Sequence, residues 1–179
     1  MKESLSRQVR VEDGVSSSLE LLPILEAERM RELLAEALSA RGFVRDGQRA
    51  VRKEASGITV EIGLESGEVT VVAEGHRRVE AETRRSGMAT EQESVVAKEA
   101  GLREAARAQL EVEAAAEEAS LQKEVTERLE GHLRALREEL DGVVNRVTAE
   151  ALKQRAAELG EVQAVREGAD GSLTITVKV

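Results

Sequence analysis

Apolar and polar residues alternate in two short segments near the start of the chain, which predicts β-strands. Residues 7–13 and 16–22 each place valine or leucine at alternating positions, so that each would bury one face. Asp13-Gly14 between them is a typical turn sequence, and we expect the two segments to form a hairpin. Pro23 then ends the second strand.

A helical pattern follows from about Glu26 to Ala40, where apolar side chains recur every three or four residues. Glu28 lies in the first turn, where its charge complements the helix dipole. Arg41-Gly42 is a typical helix C-terminus. The predicted buried stripe consists of Leu25, Met30, Leu33, Leu34, Ala37 and Leu38.

The segment 43–85 predicts a meander of short strands. Residues 58–64 alternate between apolar and polar, a turn is expected at residues 66–67, and the alternation resumes at 69–71. The charged stretch 76–85 is expected to be the last strand or the exit from the sheet, and its charges would protect an exposed edge.

One long helix is predicted from about Thr90 to Leu140. Thr90 and Glu93 have the spacing of a capping box, and apolar residues then advance in steps of three or four. Such a helix would be roughly 75 Å long at 1.5 Å per residue. Residues 141–142 offer a break before a second helical pattern at 143–159; without that break, the second pattern continues the first.

The C-terminal end predicts a β-hairpin. Val162 and Val165 indicate a short strand, and Leu173, Ile175 and Val177 alternate with polar residues in a second strand. A helix and hairpin of this size are too small to be stable alone. We expect the unit to pack on the N-terminal sheet or on a partner.

These patterns predict an α+β fold. It would contain a small antiparallel sheet with one helix, a long central helix, and a C-terminal helix plus β-hairpin. We expect three parts: an N-terminal α+β domain at 1–86, a coiled-coil-like helix at 87–141 and a C-terminal helix–hairpin unit at 142–179.

The long helix carries one apolar stripe, and a stripe of this length must be buried somewhere. A second copy, the chain itself folding back or another protein could cover it; the alternative is a solvated, charged helix. The stripe is rich in alanine in its first half and in leucine in its second, and it follows the 3.6-residue period better than strict heptads. We predict that the main contact stripe consists of Leu121, Val125, Leu129, Leu133, Leu136 and Leu140.

Composition adds a constraint, because aromatic residues are nearly absent. Phe43 is the only aromatic residue among 179, whereas aromatic side chains normally supply much of a compact core. A core made of leucine, isoleucine and valine must be thin, spread along a helix or shared with a partner.

Charge and cysteine content narrow the functional classes. The formal charge is −9, from 35 acidic and 26 basic residues, which argues against the basic face of a nucleic-acid binder. No apolar run is long enough to span a bilayer, and residues 1–7 lack the apolar stretch of a signal peptide. The absence of cysteine excludes disulfides, thiolate zinc sites and cysteine nucleophiles. We expect a cytoplasmic protein with no nucleic-acid or membrane partner.

Candidate catalytic chemistry is sparse in the sequence. The only two histidines, His76 and His132, lack metal-ligand spacing to other groups, and we expect both side chains to be solvated. No GxSxG, GxGxxG or Walker-type pattern occurs. We predict no catalytic, cofactor-binding or metal-binding residues and no enzymatic activity. One basic cluster, formed by Arg77, Arg78, Arg84 and Arg85, is expected to protect a sheet edge, the alternative being contact with an acidic partner or a phosphate.

Two stretches of the chain resemble accessory components of the bacterial FtsH ternary systems. The first is the C-terminal end, where a helix leads into residues 159–160, a strand and the hairpin at 170–177. This pattern also resembles small conserved plastid and cyanobacterial proteins of unknown function. The second is the hairpin at 58–71 with residues 74–75. The stretch through 26–30 also suits the small α/β accessory domains of such systems.

The resemblance implies protein partners and no catalytic residues. In these systems a MoxR-type AAA+ ATPase, a von Willebrand A protein and an FtsH-like ATPase/protease are thought to act together in regulated conflict or defence. Our first hypothesis is an accessory or adaptor subunit that works by protein–protein contact and could form a homo-oligomer. The alternatives are a self-assembling filament or shell component and an enzyme with an unrecognised site.

Overall fold

The computed structural model describes residues 2–84, 95–169 and 172–178 and confirms the α+β class. The predicted helix start at Thr90 and the predicted turn at 170–171 lie outside these residues. The elements in chain order are β1 (Lys2–Ser18), α1 (Ala27–Ser39), β2 (Val44–Asp46), β3 (Arg49–Lys53), β4 (Ile58–Gly63), β5 (Glu68–Arg84), α2 (Val95–Leu159), β6 (Glu161–Glu167) and β7 (Leu173–Lys178).

Five strands form one antiparallel sheet in the order β1-β5-β4-β3-β2, and β6 and β7 form a separate hairpin. The predicted hairpin of 58–64 and 69–71 is confirmed as β4 and β5. Its turn contains Gly67 with φ of +69°, a backbone conformation that glycine adopts without strain. Strand β5 lies between β1 and β4. Because β4 has six residues and β5 has 17, β4 flanks only the first part of β5, and the expectation that 76–85 protects an exposed edge stays a prediction.

The predicted hairpin of 7–13 with 16–22 is also wrong, because β1 continues through Asp13-Gly14 to Ser18. A side chain at Gly14 would lie 3.1 Å from the carbonyl oxygen of Val71, so this glycine permits close approach of two strands and forms no turn. Asp13 instead accepts a hydrogen bond of 2.7 Å from the Thr126 hydroxyl.

The chain divides into two compact units, 1–13 with 73–129 and 14–72 with 130–179. Strands β1 and β5 and helix α2 contribute residues to both. These units join segments that are distant in sequence, whereas the predicted domains 1–86, 87–141 and 142–179 follow the order of the chain. That division stays a prediction.

In the first unit, the buried residues of β1 and β5 are odd-numbered and face the first half of α2. Val9 and Val11 are buried as their alternation predicts, together with Val79 and Ala81. Gly75 lies directly beneath the helix: a side chain there would come within 2.6 Å of a Val125 methyl group. Strand and helix therefore approach each other more closely at this glycine than a larger residue would allow.

In the second unit, α1 packs on β2 and β3. Its predicted stripe is confirmed: Leu25 is half-buried, and the buried members are Met30, Leu33, Leu34, Ala37 and Leu38. The core also takes Phe43 and the alternating residues of β4, and the second half of α2 buries Val143 and Val147 in the same unit.

Helix α2 is continuous over its described length, so the break offered at 141–142 is not present and residues 143–159 continue the same helix. Aliphatic positions along it are buried at steps of three, four or seven residues between Leu121 and Ala151. A single apolar stripe therefore continues along this part of α2.

Candidate interaction surfaces

The structure places the predicted contact stripe inside the chain's own fold. Leu133 is half-buried, and the buried members are Leu121, Val125, Leu129, Leu136 and Leu140. This favours the alternative that the chain's own sheet covers the stripe. A role of these residues in binding another molecule stays a prediction. Leu129 is only 4% exposed, so a charged residue there would destabilise the fold whether or not Leu129 contacts a partner.

One part of the stripe borders an open groove in the second unit. We name it the leucine groove; its volume is about 430 Å³. The sheet and the residue after β1 contribute Val15, Ser17, Ser18, Leu19, Val69 and Val71. The helix contributes Leu133, Arg134, Leu136, Arg137, Leu140 and Asp141. Val15 is 40% exposed although it is aliphatic. The groove thus has an apolar floor, with exposed arginines on the helix side.

Arg77 occupies a helix-facing position of β5, between the buried Gly75 and Val79. Its guanidinium donates hydrogen bonds to Glu117 at 2.7 Å and to both carboxylate oxygens of Glu124 at 2.9 and 3.0 Å. The bond to Glu117, followed by the one to Glu124, raises the pKa of Arg77. This arginine therefore joins β5 to α2, and the sheet-edge role expected for its cluster stays a prediction.

Arg52 makes the corresponding contact in the second unit. It donates a bidentate pair of hydrogen bonds to Glu139 at 2.8 and 2.9 Å, and its guanidinium lies 4.4 Å from the centre of the Phe43 ring. The hydrogen bond from Arg52 lowers the pKa of Glu139 and outweighs the opposing effect of burial. Glu54 lies 3.0 Å from the Arg52 Nε atom.

The two histidines differ in environment. His76 is exposed, as predicted, with its Nε2 atom 3.5 Å from Glu74. His132 is half-buried with its Nε2 atom 3.8 Å from Glu54, so the expectation of a solvated side chain is wrong for this residue. Within the described ranges, no three or more histidine, aspartate or glutamate side chains are grouped so that they could hold a metal ion.

The hairpin formed by β6 and β7 presents a second apolar surface. A register shift between Val162 and Ala164 brings Val165 opposite Ile175 and Val162 opposite Val177. Five aliphatic side chains therefore share one face of the hairpin, and none of them is buried. These residues are Val162, Val165, Leu173, Ile175 and Val177.

Sequence patterns did not identify Val15, Arg52 or Glu139 as important positions. The pattern predicts a turn at Asp13-Gly14, just before Val15, but β1 continues through these residues. Arg52 and Glu139 are 87 positions apart, and no local pattern links them. Their only sequence signal is a charged residue on the predicted inward face of a strand or helix.

The described helices include none that is long and apolar enough to cross a membrane.

The fold and these surfaces define an α+β protein built from a five-stranded antiparallel sheet, one long helix and a terminal hairpin. The family model described as FtsH ternary system domain X5 matches residues 1–179. The chain belongs to this family, as the resemblance led us to expect. The resemblance of the C-terminal end to plastid and cyanobacterial proteins stays a prediction. No curated protein and no solved structure matches the chain.

Proposed function

We propose that this protein is a non-enzymatic accessory subunit that acts as an adaptor in an FtsH ternary system. The family assignment supports a place in such a system. The observation that carries the adaptor role is the leucine groove, an apolar depression that remains open in the folded chain. The proposal places the subunit in the cytoplasm, as its sequence led us to expect.

The groove suits a short segment of a protein partner with apolar side chains. Leu133 is half-buried and Val15 is exposed, so both retain aliphatic surface that a partner would remove from water. Burial of such surface stabilises a complex by roughly 25 cal/mol per Å² before the entropic cost of association. A segment with two or three aliphatic residues matches the size of the groove.

Charge adds specificity to the proposed contact. Arg134 and Arg137 are exposed on the helix wall of the groove, in a chain whose net charge is −9. Within the groove lining these two arginines outnumber the one carboxylate, Asp141, and such a local excess of positive charge favours an acidic partner segment and steers its approach. The proposed occupant is therefore an apolar segment flanked by aspartate or glutamate, carried by the MoxR-type ATPase, the von Willebrand A protein or the FtsH-like protease.

Binding measurements with the three purified partners test this proposal. Each partner is titrated separately by isothermal calorimetry against the wild-type chain, Leu133→Asp and Arg137→Glu. We expect one partner to bind and each substitution to weaken its affinity about tenfold or more, a loss of about 1.4 kcal/mol. Arg137→Glu changes an exposed side chain, so its effect does not depend on disturbed packing.

Val112→Asp is the matched control, because Val112 is 71% exposed on the same helix but lies outside the groove. It should bind like the wild type. If none of the three partners binds, or if Leu133→Asp and Arg137→Glu bind as tightly as Val112→Asp, the proposal is wrong.

A further inference from the structure

Among the described residues, the terminal hairpin has a partly exposed aliphatic face and unpaired strand edges. Val165 is 44% exposed, and the other four aliphatic residues of the face are half-buried. A two-stranded sheet alone is marginally stable in water and normally needs more strands or a covering layer. In the part of the chain that the structure describes, no strand pairs with the outer edge of either β6 or β7.

The two edges of the hairpin differ in their protection. The β6 edge carries Glu161, Arg166 and Glu167 and is interrupted by the register shift after Val162, and charge and irregularity are devices that block strand addition. The β7 edge has five uncharged residues in a row, from Leu173 to Val177. Only β7 therefore offers a regular, uncharged edge.

The backbone hydrogen bonds show which groups of β7 face outward. The Gly168 N–H donates to the carbonyl oxygen of Ser172 at 2.7 Å, so the polar backbone groups of residue 172 point toward β6. Because these groups alternate along a strand, those of residues 174 and 176 also point inward. The N–H and C=O groups of residues 173, 175 and 177 then lie on the outer edge.

We propose that this outer edge of β7 binds the β7 edge of a second copy of the chain, antiparallel and centred on Ile175. The product is a four-stranded sheet across a two-fold axis. All outward N–H and C=O groups of residues 173, 175 and 177 are satisfied in this register, about six hydrogen bonds in total. The inference concerns the hairpin and not the leucine groove, so either proposal can fail while the other holds.

The side chains favour a second copy as the occupant of this edge. In the centred register, Ile175 lies opposite its own counterpart and Leu173 lies opposite Val177. Thr174 lies opposite Thr176, and Lys178 lies opposite Ser172. No like charges face each other, although the whole chain carries −9, because β7 contains no acidic residue. The same edge pairing extends the aliphatic face across both copies.

Cross-linking tests the register directly, because the chain contains no cysteine. In the proposed dimer the two Ile175 Cα atoms are about 5.5 Å apart, as in any hydrogen-bonded antiparallel pair. Ile175→Cys should therefore give a covalent dimer with a short bis-maleimide. Val165→Cys is the matched control: it lies on the same face but on β6, about 14 Å from its counterpart across three strand spacings. It should give no covalent dimer under the same conditions.

Measurement of the molar mass in solution tests whether the β7 edge forms the dimer. Light scattering of the wild type should show a concentration-dependent rise from 19.4 kDa to twice that value. Ile175→Pro removes an outward N–H but no bond within the hairpin, so it should stay at the monomer mass with an unchanged circular dichroism spectrum. The proposal is wrong if the wild type stays monomeric at every concentration or if its mass keeps rising beyond two copies. It is also wrong if both cysteine variants cross-link equally or if Ile175→Pro still dimerises.

Discussion

At the residue scale, the junctions between sheet and helix use charged side chains on faces that are otherwise apolar. Arg77 projects from β5 to two glutamates of α2, and Arg52 projects from β3 to Glu139. A buried aliphatic chain gives little directional information, whereas a bidentate arginine–carboxylate pair has a defined geometry. These pairs therefore fix which part of the helix lies over which strand within each unit.

Glu139→Gln tests the contribution of the Arg52 pair. Both side chains are mostly buried, at 17% and 22% exposure, so loss of the charge should lower the free energy of unfolding at pH 7 by about 1.5–3 kcal/mol. The measurement is urea denaturation followed by circular dichroism. Glu61→Gln is the control, since Glu61 pairs with Arg49 at the surface and should cost about 1 kcal/mol or less.

The same pair has a defined pH dependence. Because Arg52 lowers the folded-state pKa of Glu139 below its unfolded-state value, the stabilisation is present above the unfolded-state pKa and is lost as the pH falls through the folded-state pKa. The stability difference between wild type and Glu139→Gln should therefore be constant near neutral pH and shrink in acid. A difference that stays constant down to the lowest pH at which the protein folds would contradict this explanation.

Gly75→Ala tests the close contact between β5 and α2. The added methyl group would lie 2.6 Å from a Val125 methyl carbon and 3.0 Å from a Leu121 methyl carbon, and Val125 is fully buried with a stiff, β-branched side chain. We expect the free energy of unfolding to fall by about 1–3 kcal/mol, as for other overpacked cores. Urea denaturation measures this change, and stability equal to that of the wild type would show that strand and helix are not so closely packed.

At the element scale, α2 is a single helix although it contains several glycines. Gly101 and Gly131 lie inside it with no other atoms near the position of a side chain, and Gly142 has only Arg41 close by. Glycine disfavours a helix by about 1 kcal/mol relative to alanine. The helix continues through Gly131 and Gly142 because apolar positions on either side of both glycines are buried in the fold.

Gly131→Ala should therefore stabilise the protein, in contrast to Gly75→Ala. With open space at the side-chain position, we expect a gain of about 0.5–1 kcal/mol in the free energy of unfolding, again by urea denaturation. Gly160→Ala is the control with the opposite expected result: a side chain at Gly160 would clash with the backbone of Lys178, so this substitution should lower the free energy of unfolding. A loss of stability in Gly131→Ala would indicate that α2 bends or breaks near this residue.

At the scale of the whole molecule, most of the long stripe is buried among the described residues, and two surfaces are candidates for binding. These are the leucine groove and the β7 edge, and both belong to the second unit. A dimer formed through β7 would carry two grooves. If a partner carries two matching segments, binding of the first segment holds the second one near the other groove at a high effective concentration. The partner then binds the dimer more tightly than a single chain, without any new type of contact.

Much of the fold could be predicted from periodicity. Helix α1, the hairpin of β4 and β5, the long helix and the terminal strands all follow from local spacing of apolar residues. Two of the errors share one cause: a glycine after an aspartate predicts a turn at 13–14 and a helix break at 141–142, and the structure contains neither. At Gly14 the glycine accommodates a neighbouring strand, and at Gly142 the packed helix continues, which depends on residues far away in sequence.

The sequence by itself determined the elements, their buried faces and the family, because hydrophobic periodicity and motif patterns are local properties of the chain. Only the tertiary structure decided what covers the stripe from Leu121 to Leu140. The pattern requires that such a stripe be removed from water but does not specify the molecule that removes it. Here the chain's own sheet covers most of it, and the surfaces left open, the leucine groove and the β7 edge, become the candidates for binding.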